Sequence, residues 1–293
     1  MPTDPGRDST PGGSRTEVDA AWRLLRSLQP DASGARDSET RSRLRLLDGE
    51  GWETDPPATR EAETLLSLFL PLRRRAAFVV GQLGQSVDGR IATEAGHSHY
   101  INGPEDIRRL HRLRALVDAV VVGAGTAEAD DPRLTVREVD GTDPVRVVLD
   151  PSARLAPDRR LFQDGLAPTL WVQAPDQPWD SAEVGPFVER VQLPLSGAGG
   201  FEPAAVIRML HQRGLRRVLV EGGGMTVSRF LQAGALDRLH LSVAPLILGS
   251  GRPGIRLPPI RTLDQALRPP VRHFLLGTDL LFDLDLSHAP RPE

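Results

Sequence analysis

Residues 216–231 read RRVLVEGGGMTVSRFL, and this stretch decides the fold. Val218, Leu219 and Val220 form a short aliphatic run, long enough for one buried strand. Glu221 ends the run, and Gly222, Gly223 and Gly224 follow. Met225, Val227, Phe230 and Leu231 then fall at helical spacing. Strand, glycine turn and helix in that order aim the helix's free N–H groups at whatever sits over the turn. Glycines let a phosphate approach the backbone, and the helix start favours its negative charge. A tight βα turn that binds nothing explains the same residues equally well. The spacing is neither G-x-G-x-x-G nor a P-loop, and no lysine follows the glycines.

The same grammar recurs outward from this unit. Upstream, Phe78, Val79 and Val80 make a strand that runs into a glycine turn at 81–84, and residues 87–90 (VDGR) are a turn signal. Gly103-Pro104 opens a helix whose apolar face is Ile107, Leu110, Leu113, Leu116 and Val117. Residues 119–122 are a buried strand, followed by a second glycine turn at 123–126. Strands are expected at 145–149, 170–172 and, more weakly, 188–193, with a helix at 203–212. Downstream, residues 239–248 form a strand region broken by Pro245, and 280–286 alternate as a half-solvated final strand does. Short aliphatic strands alternating with helices predict an α/β fold, a largely parallel sheet covered on both faces. The late strands lack a helix between them, so one edge is expected to be antiparallel.

Ahead of this domain, residues 1–75 read as an appendage. Residues 1–14 are rich in Pro, Gly, Ser and Asp and are expected to be disordered. Helices are expected at 17–28 and at 61–70, the second stopped by Pro71. The appendage suits a plain extension, an oligomer contact or a lid over the site. The main domain then spans 76–288, and 289–293 is a loose tail.

Composition narrows the function classes. The 293 residues contain no cysteine, which excludes disulfides, a thiol nucleophile and cysteine-ligated zinc. All 36 basic residues are arginine, so a catalytic lysine is excluded too. A formal net charge of −3 gives no sign of a nucleic-acid or membrane partner. No apolar run has membrane-spanning length and the start lacks a signal-peptide core, so a cytoplasmic protein is expected. Asp130 and Asp131 are adjacent and would point apart in extended chain, and His97 and His99 lack a third ligand; no metal site is expected.

Ligands of open α/β sheets sit beyond the carboxyl ends of the strands. Three glycine-bearing turns follow strands here, and their convergence would make a backbone-lined trough for an extended, anionic, nucleotide-like ligand. A structural explanation would need three independent reasons for glycine.

At this point the chain resembles a known family. Residues 84–92 (GQSVDGRIA), 96–101 (GHSHYI), 113–115 (LRA), 125–137 (GTAEADDPRLTVR), 220–224 (VEGGG) and 244–249 (APLILG) are similar to motifs of the pyrimidine reductases of riboflavin biosynthesis. Those enzymes are the reductase half of a bifunctional deaminase-reductase and its stand-alone relatives, with a dihydrofolate reductase-like fold. The resemblance implies that NADPH delivers a hydride to C1′ of a ribosylamino-pyrimidine 5′-phosphate. It implies that Gly84 and Tyr100 pack on the cofactor and that Thr126 and Asp130 hold its ribose or phosphate end. It gives the diphosphate to Gly223, Gly224, Met225 and Thr226. It turns Ser98, Arg114, Leu134, Arg137 and Glu221 to the substrate, and relatives suggest a homodimer.

The chemistry of those residues agrees in kind. A sugar phosphate is a dianion, and two arginines clamp it bidentately as lysine cannot. Glu221, at a strand's carboxyl end, suits either a substrate amine or hydroxyl or the cap of the following helix. No proton donor is identifiable. Two departures stand out. There is no H-x-E followed by P-C-x-x-C, so no zinc deaminase is encoded in these residues. Gln82 stands where the family commonly has lysine, which leaves the heterocycle open. A divergent reductase of another heterocycle, or a non-catalytic nucleotide-binding protein, are the competing readings.

Overall fold

The computed structural model of the chain describes residues 16–28, 43–47, 51–98, 101–177, 184–197 and 199–287. The expected disorder at 1–14 lies outside them. The chain divides into two compact units, Met1–Ala76 and Ala77–Glu293.

In the first unit, α1 (Val18–Ser27) and α2 (Arg60–Arg73) pack through Ala21, Trp22, Leu24 and Leu25 on one side and Leu65, Leu66 and Phe69 on the other. Trp22 meets Phe69 edge to face, their ring centroids 6.2 Å apart. Pro71 does not stop α2, contrary to the sequence expectation, but lies inside it. Proline removes one donor and leaves the carbonyls ahead of it able to accept. The Arg74 N–H accordingly donates to Leu70 O at 3.0 Å. The unit also holds a short antiparallel pair, β1 (Leu44–Leu46) and β2 (Trp52–Thr54), which the sequence reading does not anticipate.

The second unit is built on β3 (Phe78–Ser86), β4 (Arg90–Ala92), α3 (Pro104–Arg114), β5 (Ala119–Gly123), α4 (Ala124–Asp130), β6 (Val145–Leu149), α5 (Arg160–Gln163), β7 (Thr169–Gln173) and β8 (Val188–Gln192). It continues with α6 (Pro203–Gln212), β9 (Arg217–Val220), α7 (Gly224–Gln232), β10 (Arg238–Ala244), β11 (Arg252–Pro253), β12 (Val271–Leu276) and β13 (Asp279–Asp285). Among the described residues, nine strands form one sheet in the order β12-β13-β10-β3-β9-β5-β6-β7-β8. From β10 to β8 every pair is parallel. The β10–β13 and β13–β12 pairs are antiparallel. The expected parallel sheet with one antiparallel edge is therefore present.

Val79, Val121, Val147, Val172, Val218 and Val220 join Val206, Leu210, Val227 and Phe230 in one core. Burial of such side chains contributes roughly 1.5–3 kcal/mol each.

Three local expectations change. Residues 81–84 are not a turn; they continue β3, because β10 pairs with all four of them and β9 with Gly81. Pairing of this kind outweighs the low strand preference of glycine. The glycines at 123–125 are the end of β5 and the first turn of α4. On α3, Ile107 is exposed, whereas Asp106, Arg109, Leu113 and Arg114 are buried. The inward face of that helix is largely charged.

Candidate functional site

β9 parts β3 from β5 in the sheet, and the carboxyl ends of these three strands open into one cavity of about 840 Å³. That size suits a cofactor-scale ligand. Gln82 and Gly84 come from β3, Gly123 from β5, and Glu221 to Thr226 from the end of β9 and the start of α7. Ser98, Thr126, Asp130, Leu134, Arg252 and Arg256 also line it. Ser98, Arg114, Leu134, Glu221, Gly84, Thr126, Asp130, Gly223, Gly224, Met225 and Thr226, all expected from sequence, thus share one cavity. Tyr100 lies outside the described residues, as does His99. Arg137 is not among the lining residues.

The glycines have reasons of their own. A Cβ at Gly84 would overlap Asn102 Oδ1, one at Gly123 would overlap Thr226 Oγ1, and one at Gly224 would overlap Gly254 O. These are the three independent packing reasons that a purely structural explanation needs. The Gly223 N–H is also committed, donating to Thr126 Oγ1 at 2.7 Å. Beyond it the Thr226 N–H donates to Gly223 O at 3.0 Å, which leaves the Gly224 and Met225 N–H groups without an intrahelical acceptor, and both residues line the cavity. The site therefore keeps a favourable end for an anion, with fewer free amides than the glycine count suggests.

Arg114 and Glu221 are bound to each other. Arg114 Nε donates to Glu221 Oε1 at 2.8 Å and Nη2 to Oε2 at 2.7 Å. Burial alone pushes the Arg114 guanidinium down, but the Glu221 carboxylate outweighs it and holds the pKa above the ordinary value. Glu221 is not the cap of α7; Gly223 occupies that position. The Arg114 and Arg137 guanidiniums both donate to Thr135 O, at 3.2 and 3.4 Å, so the two cations are neighbours. Burial and the like charges of Arg114 and Arg133 lower the Arg137 pKa, a strain that a bound anion would relieve.

Ser98 Oγ donates to Asp130 Oδ1 at 3.1 Å. Asp130 and Asp131 face different partners, since Asp131 Oδ1 accepts the Arg160 N–H at 2.9 Å. Leu134 is buried and left-handed, with φ 56°. That conformation costs a side-chain-bearing residue roughly 1–2 kcal/mol. Among the described residues, no group of three His, Asp or Glu could hold a metal ion.

Sequence reasoning missed Asn102, Arg229, Arg252 and Arg256, all of which line the cavity. Arg252 opens the two-residue strand β11 and Arg256 lies in the irregular chain after it, where no periodicity marks them. The three arginines form no salt bridge among the described residues.

Asp88 anchors the wall that carries Arg252. Its carboxylate accepts from Ser86 Oγ at 2.5 Å and from the Leu248 and Gly249 N–H groups at 3.1 and 2.7 Å. The Ser86 hydroxyl first, then the Leu248 amide, hold its pKa at about 2.

Comparison with known proteins adds to this geometry. Residues 77–280 match the family described as the RibD C-terminal domain. A 2,5-diamino-6-ribosylamino-4(3H)-pyrimidinone 5′-phosphate reductase of Methanothermobacter thermautotrophicus is 35% identical over 213 residues, covering 70% of this chain and 96% of that protein. Its Archaeoglobus fulgidus namesake is 33% identical over 184 residues, covering 59% and 82%. The structure of Acinetobacter baumannii RibD superposes with a TM-score of 0.61 at 25% identity, covering 79% of this chain and 63% of that one. The chain thus spans about three fifths of that RibD's length.

Proposed function

The chain belongs to the RibD C-terminal domain family, and from that membership we infer that it reduces a ribosylamino-pyrimidine 5′-phosphate in riboflavin biosynthesis. The observation that carries this reading is the cavity itself. Glycine-bearing ends of three parallel strands meet there with a helix start and a buried Arg–Glu pair. Its donor set fits a nicotinamide dinucleotide: neutral walls near Gly84, amides at α7, and cations at Arg229, Arg252 and Arg256.

We assign NADPH rather than NADH because those three arginines have no anionic partner among the described residues, and a 2′-phosphate would supply one. When bound, the cofactor supplies the hydride for opening the ribose. The protein's own residues bind and orient. Thr126, Asp130, Gly223, Gly224, Met225 and Thr226 hold the dinucleotide, and Gly84 packs against it, a role the family resemblance also gives Tyr100. Arg137 takes the substrate phosphate. Ser98, Leu134 and the Arg114–Glu221 pair shape the wall against the ring and ribose. Residues 1–293 hold no cysteine and so form no cysteine-ligated zinc deaminase. Among the described residues no helix is long and apolar enough to cross a membrane, and the reading places the enzyme in the cytoplasm.

A homodimer belongs to the same proposal. On the outermost antiparallel hairpin, Val271 pairs with Leu284, His273 with Phe282 and Leu275 with Leu280, which puts five apolar side chains and His273 on one face. Val271, Leu275 and Leu280 are exposed there. A second copy would cover them.

The test is NADPH oxidation, followed by absorbance, with the deaminated and undeaminated pyrimidine phosphates offered separately. Oxidation with one of them is expected. Flat traces with both remove the substrate assignment.

A further inference from the structure

Two carboxamides in the cavity are held in opposite senses. Gln82 is buried, and its Oε1 accepts from Arg109 Nη2 at 2.7 Å. A guanidinium only donates, so the oxygen must face Arg109 and the Gln82 NH₂ must face away. Arg109 is itself fixed. It is 2% exposed, its Nε donates to Asp106 Oδ1 at 2.6 Å, and its Nη1 lies 3.3 Å from His240 Nδ1. Asn102 is turned the other way. Its Nδ2 donates to Asp279 Oδ2 and to Ser242 Oγ, both at 3.1 Å. A carboxylate accepts, so the Asn102 oxygen is left outward, over Gly84. Among the described residues, neither Gln82 Nε2 nor Asn102 Oδ1 has a partner, and both residues line the cavity.

Gln82 and Gly84 are two residues apart on β3 and so address the same face of the sheet. One donor and one acceptor, each locked by a buried ion, therefore stand side by side. We propose that Gln82 and Asn102 read an amide, donating to its carbonyl and accepting from its N–H. Arg109 and Asp279 are the positioning residues behind them. The inference rests on the reductase reading, in which two ligands carry that chemistry: the nicotinamide carboxamide and the lactam edge of a pyrimidinone. A buried donor left without a partner is costly, which gives the matching ligand its advantage over one lacking the amide.

Gln82→Glu tests this in the full chain. The carboxylate keeps the Arg109 bond and replaces the outward donor with an acceptor. Three quantities are measured: the Kd of NADP⁺, the Kd of adenosine 2′,5′-bisphosphate, which has no amide, and the KM of the pyrimidine phosphate. The expected result is a loss of about tenfold or more in NADP⁺ affinity or in substrate KM, with the bisphosphate unchanged. Loss of NADP⁺ affinity assigns the amide to nicotinamide, and a raised KM alone assigns it to the pyrimidine. No change in either overturns the proposal, and so does an equal loss for the bisphosphate. If the glutamate variant does not fold, Gln82→Met, which lacks the donor, is read the same way. Absence of NADPH oxidation by the parent protein would instead count against the reductase reading.

Discussion

Arg114 on α3 and Glu221 at the end of β9 form a bidentate pair at 2.7–2.8 Å, with both side chains buried. The pair joins a helix to the strand whose end opens the cavity. Buried pairs of this kind owe much of their apparent importance to the charge left behind when one partner is removed. Arg114→Ala alone is therefore expected to cost about 3–5 kcal/mol. Arg114→Met combined with Glu221→Leu should recover most of that stability by calorimetry. Activity should stay low in the double variant, because the polar wall is gone. Restored activity would show that the pair only holds the fold.

Gly84 is close-packed by Asn102 rather than open to a ligand alone. Gly84→Ala should destabilise by about 1–3 kcal/mol through overpacking. Asn102→Ala in the same chain should remove the overlap, so the two effects are expected to be less than additive in a double-mutant cycle. Strict additivity in urea unfolding would show that β3 accommodates the methyl by moving elsewhere.

The sheet and most of the lining were legible in sequence because they come from strand–turn–helix units with strong periodicity, such as β9 and α7. β12 was not, since Arg272 and His273 interrupt its apolar pattern and it pairs on one side only. The turn read at residues 81–84 failed for the opposite reason: β10 holds both glycines extended, and β9 also pairs with Gly81. Ile107 was placed inward because apolar spacing ordinarily marks the buried face. On α3 that face instead meets Gln82 and Glu221 through Arg109 and Arg114. Tertiary contacts of this kind leave no trace in a local pattern, and neither do arginines in a two-residue strand and the irregular chain after it.

Arg252 and Arg256 line the cavity without a salt bridge among the described residues. Replacing both with alanine is expected to weaken NADPH by about 1.5–3 kcal/mol for each charged hydrogen bond lost. NADH should be affected much less. The ratio of kcat/KM values for the two cofactors measures this directly. Equal loss for both would move the 2′-phosphate away from these residues.

Leu134 pairs burial with a left-handed backbone, φ 56°. Leu134→Ala should cost about 2–5 kcal/mol, as removal of a buried leucine does. Glycine would lose the same packing but relieve the backbone, so Leu134→Gly should be no less stable than Leu134→Ala. At an ordinary buried position glycine would be the worse of the two by roughly 0.5–1 kcal/mol. Urea unfolding of the two variants decides the point; a markedly weaker glycine variant would mean that the backbone is not strained there.

His111 gives the protein a pH dependence whose sign can be worked out. It is 3% exposed, its Nδ1 accepts the Arg137 N–H at 3.0 Å, and it lies near two guanidiniums. Burial first, then Arg114 and Arg137, push its pKa down to about 4 from 6.5. The folded state thus binds fewer protons than the unfolded chain between those values, and stability rises with pH across that interval. Read downward, stability is intact above about pH 6.5 and is lost progressively toward pH 4, by on the order of 3 kcal/mol from this residue. His240, buried and beside Arg109 and Arg238, is shifted in the same direction and adds to the slope. Replacing His111 with asparagine keeps an acceptor for Arg137 and removes the titration. The variant's Tm should fall less steeply than the parent's between pH 6.5 and 4. Parallel curves would show that His111 takes up its proton without loss of the fold.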